Sequence, residues 1–330
     1  MKNVADPVDR ALLDDWQRDF PVEARPFAVL AAQAGVCEAE VLDRLARMQA
    51  AGRITRVGAT CAPNTVSAST LAAIQAAPQE VERIAGVVGA EAGVNHSYLR
   101  EDAWNLWFVA TGPDRRHVNR ALARISRNAE RPVLDLRLVR PFNVDLGFRM
   151  AGGGGKPPAA RAVDATAMRP GDRELLQRLT RGLSLEPHPW AALGRELMRP
   201  EAAVMERVIA LQAAGVIARL GVIVRHRALG WRSNAMCVWD VSHAVAGEVG
   251  PTLAALPGVT LCYERRPVEG VWPYRLYNMI HARSRTEAKE ALARVRALPG
   301  LKGARHKVLF STRCFKQTGA LIADREGERA

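Results

Sequence analysis

Apolar positions recur every three or four residues at two places in the chain and every second residue elsewhere. Near the start, Leu12, Leu13 and Trp16 form one apolar stripe, Phe27, Val29 and Leu30 a second, and Val41, Leu42, Leu45 and Met48 a third. That spacing belongs to amphipathic helices sharing one core. Gly52 is placed to close the third helix, and a strand begins at Ile54. Three helices followed by a strand hairpin predict a winged helix-turn-helix. Leu175, Leu176 and Leu179, then 191–197, then Val204, Val208 and Leu211 before Gly215, predict a second.

After each winged unit the rhythm changes to period two. Strands are expected near 68–76, 94–99, 105–111 and 133–139, with helices near 78–88 and 114–127. The second half repeats the order, with strands near 233–240, 259–265, 274–282 and 307–312 and helices near 243–256 and 285–298. This βαββαβ succession is the ferredoxin-like pattern. The fold class is therefore α+β, a tandem duplication of winged helix-turn-helix plus ferredoxin-like domain.

The duplication is visible directly. Residues 9–58 lie ungapped over 172–221 with about 20 of 50 positions identical. GVNHSYLRED from Gly93 matches GVTLCYERRP from Gly258, and RPFN at Arg140 matches RCFK at Arg313. The expected domains are 1–66 and 169–230 (winged), 67–150 and 231–321 (ferredoxin-like), a Gly/Pro/Ala linker over 151–168 and a tail over 322–330. Fusion makes the chain an internal pseudo-dimer.

Composition narrows the function. No apolar run approaches the ~18 residues of a membrane span. The N-terminus has no signal pattern, and five scattered cysteines (Cys37, Cys61, Cys237, Cys262, Cys314) form no C-x-x-C pair. Both point to a reduced, cytoplasmic protein without disulfide frame or metal site. The net charge of +13 is uneven: 19 Lys and Arg face 18 Asp and Glu in the first 150 residues, leaving 28 against 16 thereafter. The asymmetry suggests an anionic partner, either nucleic acid or a polycarboxylate small molecule, and equally fits a solvated arginine-rich surface. The third helices argue against nucleic acid, since Glu38, Glu40 and Asp43 in one and Glu201 and Glu206 in the other would repel phosphate.

Candidate chemistry sits on the second strand of each ferredoxin-like unit. Alternation puts His96, Tyr98 and Arg100 on one face, and Asn105, Trp107 and Val109 together on the next strand. An imidazole, a phenol and a guanidinium on one open face suit acid and anion work. In the second half Leu261 replaces His96, while Tyr263 and Arg265 keep the places of Tyr98 and Arg100. Arg266, Tyr277, His281, Arg313 and Lys316 lie around them, and Arg225, His226, Arg227 and Arg232 follow the second wing. One half keeps a histidine and the other concentrates cations, which suggests one asymmetric pocket with arginines gripping carboxylates bidentately. The same residues also fit a solvated hairpin histidine and surface ion pairs.

A winged helix ahead of a ferredoxin-like domain resembles the Lrp/AsnC regulators. The strings GVNHSYLRED-AWNLWFVATG, RVGATCAPNTVSASTLAA, RHRALGWRSNAMCVWD, WPYRLYNMIHAR and VLFSTRCFKQTGA are more specific, and resemble the siroheme decarboxylase family over about 8–150 and 168–321. The first half resembles one subunit type and the second half its partner, as in a fused two-subunit form, and the family serves haem d1 biosynthesis or the siroheme-dependent haem route. The resemblance implies loss of CO2 from the acetates on carbons 12 and 18 of siroheme, giving 12,18-didecarboxysiroheme, with siroheme as iron-containing substrate and no intrinsic cofactor. For that chemistry the residues themselves suggest His96 as proton donor, Tyr98 as polarising or relaying group, and a substrate-binding set of Arg100, Asn105, Trp107, Arg140, Arg225, His226, Arg227, Tyr263, Arg265, Tyr277, Arg313 and Lys316. Neither nucleic acid nor membrane is an expected partner, and the pseudo-dimer is free to pair further or with a second decarboxylase pair. Leu261 leaves open whether one pocket handles both acetates or His226 or His281 serves a second step. Two other readings remain at this point, a Lrp/AsnC-type transcription regulator and a tetrapyrrole carrier without turnover.

Overall fold

The computed structural model describes residues 6–144, 147 and 162–323. Most of the expected linker, 151–161, and the tail from 324 lie outside the described residues. The first copy runs α1 (Pro7–Asp14), α2 (Pro26–Ala34), α3 (Glu38–Ala50), β1 (Ile54–Cys61), β2 (Ala68–Ile74), α4 (Val81–Ala90), β3 (Val94–Arg100), β4 (Leu106–Gly112), α5 (Arg115–Ala129), β5 (Val133–Leu136) and β6 (Leu138–Asn143). The second runs α6 (Asp172–Arg181), α7 (Pro189–Leu197), α8 (Glu201–Ala213), β7 (Ile217–Val224), β8 (Ser233–Trp239), α9 (His243–Ala254), β9 (Val259–Arg265), β10 (Leu276–Ala282), α10 (Arg285–Arg296) and β11 (His306–Gln317). The described residues fall into two compact units: the two winged regions together, up to Val66 and from 162 to Gly230, and the two ferredoxin-like regions together.

In the winged unit most residues of the predicted stripes are buried, with Trp16, Val29 and Leu42 only partly so. Leu12, Leu13, Phe27, Leu30, Val41 and Leu45 are fully covered, as are Leu175, Leu176, Leu179, Val204, Val208 and Leu211. Asp6 caps α1 by accepting from the Val8 and Asp9 amides, with Pro7 at the first helical position. Gly52 (φ +68°) and Gly215 (φ +70°) follow α3 and α8 in the left-handed conformation that glycine adopts without strain. One ion pair recurs in both copies: Arg44 donates to Asp9 at 2.8 Å, and Arg207 holds fully buried Asp172 at 2.5 and 3.1 Å. Each joins the third helix to the first.

The wing differs from the expected hairpin. β1 and β7 pair with each other, antiparallel, with Val57 opposite Val222, Gly58 opposite Gly221 and Ala59 opposite Leu220. Each copy supplies one strand with a largely buried face, and a lone strand leaves its amides and carbonyls unpaired. The sister strand supplies the missing ladder.

The second unit holds two four-stranded sheets in the ferredoxin-like order, β5-β2-β4-β3 and β11-β8-β10-β9. They are joined by reciprocal exchange. β11 pairs with β8 over its first half and with β3 over its second. β5 lies on β2, and β6, one residue further on, crosses to β9. Helices cover one face of each sheet. Ile84, Val88, Val118 and Ile125 pack on Phe108 and Ala110 in the first copy, and Val249, Leu253, Leu292 and Val295 pack on Cys262 and Ile280 in the second. The remaining faces meet in a third core that mixes both copies: Leu71, Trp107, Leu134, Leu136, Met236, Val238, Tyr263, Trp272, Tyr277, Met279 and Leu309. Trp107 and Trp272 meet edge to face at 5.3 Å, a favoured aromatic geometry. The face expected to be open is thus largely packed against its twin.

Candidate functional site

β3 delivers its polar residues to that shared interior. Tyr98 stands opposite Trp107 and His96 opposite Val109 on β4, both on the side facing the mixed core, while Leu99 opposite Leu106 faces the helices. On the other side of β3, Gln317 pairs with His96, Cys314 with Tyr98 and Ser311 with Arg100. His96 and Tyr98 are half-buried.

Arg100 is only 6% exposed. Its Nη1 donates to Asn234 Oδ1 at 3.0 Å and to the Leu309 carbonyl at 3.1 Å, and its buried Nε has no partner among the described residues. No described carboxylate pairs with it. The Tyr98 and Tyr263 phenols, one from each copy, are its electrostatic neighbours, and burial pushes its pKa down to about 10. It stays charged at neutral pH, and an uncompensated buried cation costs several kcal/mol. Beside it His281 sits between Asn234, 2.5 Å from Nε2, and Thr260 Oγ1, 2.7 Å from Nδ1. Burial, and secondly the Arg100 charge, push its pKa down to about 4, so it is neutral under physiological conditions. A neutral, buried, bonded imidazole is poorly suited to supply a proton, which removes the main attraction of His281 for a second step.

Arg265, the counterpart of Arg100, stacks 4.5 Å over the Tyr263 ring and donates to the Leu136 carbonyl at 2.7 Å. Its Nε is likewise buried without a partner among the described residues. Tyr277 is fully buried, its hydroxyl accepting from Trp272 Nε1 at 2.8 Å, and burial raises its pKa. Trp107 donates to the Trp104 carbonyl at 2.5 Å. The structure therefore brings His96, Tyr98, Arg100, Trp107, Tyr263, Arg265 and Tyr277 to the inter-sheet side, with Trp107 and Tyr277 serving as core.

Other expected ligands point elsewhere. Arg313 pairs with Glu82 on α4, and Lys316 donates to the Gly89 and Glu91 carbonyls at 2.8 and 3.2 Å, closing the C-terminal end of that helix. Arg140 donates at 2.7 Å to Glu264, a fully buried carboxylate that His243 and Arg275 also contact. Arg140 and Arg313 are on the helix side because a bulge, between Leu138 and Arg140 in one exchanged strand and between Ser311 and Arg313 in the other, reverses the alternation. A second bulge between Cys314 and Lys316 reverses it again, so Lys316 lies where plain alternation places it. Asn105 lies just before β4 and clamps the Ala76 backbone, accepting at 2.9 Å and donating at 2.7 Å. Arg225, His226 and Arg227 belong to the winged unit, where 226–229 form a short 3-10 turn.

A cavity of about 490 Å³ that the sequence did not suggest lies at the loop end of the ferredoxin-like unit. Gln75, Trp104, Trp272, Tyr274, Arg305 and Lys307 are among its walls, and none of the expected site residues lines it. Its cations are engaged, Lys307 with Asp102 at 2.7 Å and Arg305 with Asp240 at 2.6 Å. Arg100, by contrast, is hydrogen-bonded among the described residues only to an amide and a backbone carbonyl, so its charge meets no described carboxylate. The available signal for the cavity was the β9–β10 connection, 266–275, against 101–105 in the first copy.

Among the described residues no helix is long and apolar enough to cross a membrane, and no group of three or more His, Cys, Asp or Glu side chains converges as a metal site.

Comparison with known proteins agrees with this architecture. Residues 9–54 and 172–217 match the siroheme decarboxylase NirDL-like HTH domain, and 66–142 and 228–316 match the AsnC-like ligand binding domain. The siroheme decarboxylase NirDL subunit of Paracoccus pantotrophus is 53% identical over 97% of this chain and 98% of its own length. The crystal structure of a siroheme decarboxylase NirDL superposes with a TM-score of 0.69 at 25% identity, covering 98% of this chain and 96% of that one. A second NirDL structure, in co-complex with an iron-uroporphyrin III analogue, gives 0.67 at 25% identity over 93% and 92%. On helix-turn-helix, ligand-binding domain and full-length identity alike, the chain belongs to the siroheme decarboxylase family in its fused NirDL form.

Proposed function

We propose that this chain is a carboxy-lyase that removes CO2 from the C12 and C18 acetate side chains of siroheme, giving 12,18-didecarboxysiroheme. The work is done in the cytoplasm and without a resident cofactor. The observation that carries the reading beyond family membership is Arg100, a buried cation without a described carboxylate partner, on the strand face that also bears His96 and Tyr98. Siroheme has eight carboxylates, so it can supply the missing counter-charge several times over.

The chemistry needs an electron sink and a proton. Breaking the bond from the acetate methylene to its carboxyl carbon releases CO2 and leaves an electron pair that a protonated pyrrole ring accepts. The methylene carbon then takes one proton and becomes a methyl group, with no net oxidation. His96 is assigned as the proton donor and Tyr98 as the group that polarises or relays to it. Arg100 anchors a carboxylate that is retained, with Arg265 and Tyr263 on the facing strand as a second hold. The apolar wall at Trp107 disfavours the ionised acetate relative to neutral CO2.

The regulator reading fares worse. Arg44, on the helix that would enter a DNA groove, is occupied by Asp6, Asp9 and Glu40, and the first turn of that helix carries Glu38 and Glu40. Siroheme and its octamethyl ester separate a carboxylate-reading site from a merely apolar one. The ester should bind at least about tenfold more weakly in an absorbance titration, the loss expected on removing charge-assisted hydrogen bonds. Equal affinity would overturn the assignment of arginine anchors.

A further inference from the structure

Both copies place a polar pair at the same register position, on the edge of the mixed core. In the second copy it is Asn234 opposite His281, the second residue of β8 and the sixth of β10. In the first copy the same places on β2 and β4 hold Ser69 opposite Thr111. The pairs have diverged in what they do. Thr111 donates to the Gly93 carbonyl at 3.0 Å and accepts from the Leu321 amide at 2.9 Å. Asn234 instead reaches Arg100 of the other copy.

The hydrogen bonds through Asn234 have one consistent direction. A guanidinium can only donate, so Asn234 Oδ1 must face Arg100 and its amide nitrogen must face His281. His281 Nε2 then accepts, which leaves the ring proton on Nδ1 to donate to Thr260 Oγ1. The Thr260 hydroxyl in turn donates a hydrogen bond to the Met279 carbonyl at 3.3 Å. Reversing the Asn234 amide would break the bonds at both of its ends. Arg265, by contrast, is hydrogen-bonded among the described residues to a backbone carbonyl and to no side chain.

Resting on the function proposed above, we infer that Asn234 and His281 are positioning residues. They hold the Arg100 guanidinium for a retained substrate carboxylate, and they make β3, rather than its counterpart β9, the strand that fixes the substrate. The asymmetry of the fused chain then lies in this brace as well as in the exchange of His96 for Leu261.

Asn234→Asp tests this in a way that a purely structural role would not imitate. It places a carboxylate on Arg100, so the fold should be as heat-stable as wild type or more so, while siroheme affinity falls at least about tenfold because protein and substrate now compete for one cation. Asn234→Ser, the first-copy residue, removes the brace without adding charge. Its loss should fall on KM, by about fivefold or more, with kcat held within about twofold. Should Asn234→Asp fail to fold, Asn234→Ser decides alone. Siroheme bound within about twofold of wild type by the Asp variant, or a Ser variant whose loss falls on kcat, would overturn the inference while leaving the decarboxylase reading intact. Wild-type protein that neither binds nor decarboxylates siroheme would remove that reading, and the inference with it.

Discussion

His96→Ala is expected to slow CO2 release from siroheme by about 10²- to 10⁴-fold, the usual contribution of a positioned general acid. Siroheme affinity should stay within about threefold, because an imidazole donating to a carbon that becomes basic only after bond cleavage contributes little to the ground state. His96 suits the task by place as well as type. It projects from β3 toward the inter-sheet side, is half-buried, and has no histidine counterpart in the second copy, where Leu261 packs against the mixed core. His281 is too deeply buried and too firmly neutral to replace it. His96→Gln should be as slow as the alanine variant, since an amide keeps hydrogen bonding but cannot deliver a proton. Single-turnover assays under anaerobic conditions measure the step directly. Wild-type rates in both variants would take the proton donor away from His96.

Arg100→Met carries the second large effect, and its sign is unusual for a buried residue. Losing one partner of a buried, hydrogen-bonded charge pair costs about 2–5 kcal/mol, or roughly 30- to several-thousand-fold in siroheme affinity. Thermal stability should hold or rise, because methionine fills similar volume without a charge that no described carboxylate compensates. Arg100→Lys should not restore binding. A lysine cannot reach Asn234 and a carboxylate with one planar fork. Titration by absorbance together with thermal melts separates the outcomes. A variant that loses stability and affinity in parallel would mean that Arg100 is structural.

Much of the architecture was legible. Twenty shared positions in fifty exposed the duplication, and the three- and four-residue stripes located α1–α3 and α6–α8 because each buries one face. Alternation along β3 correctly separated His96, Tyr98 and Arg100 from Leu99. What period two cannot encode is the identity of the neighbouring strand. The pairing of β1 with β7, and the crossing of β6 and β11 to the opposite copy, depend on contacts far apart in sequence. Bulges caused the clearest misplacement among the site residues. Uninterrupted alternation from Leu309 carries Arg313 into the interior, whereas the irregularity after Ser311 turns it to Glu82 on α4. Asn234 escaped notice for a different reason. One asparagine in RSNAM has no pattern of its own, and only its register partner His281 and the first-copy pair Ser69 and Thr111 give it meaning.

The most direct test of the account is to incubate the purified chain with siroheme under anaerobic conditions and weigh the tetrapyrrole by mass spectrometry. The account predicts loss of two CO2 units, with 12,18-didecarboxysiroheme as product. Siroheme recovered bound but unchanged in mass would contradict it and leave a tetrapyrrole carrier in place of an enzyme.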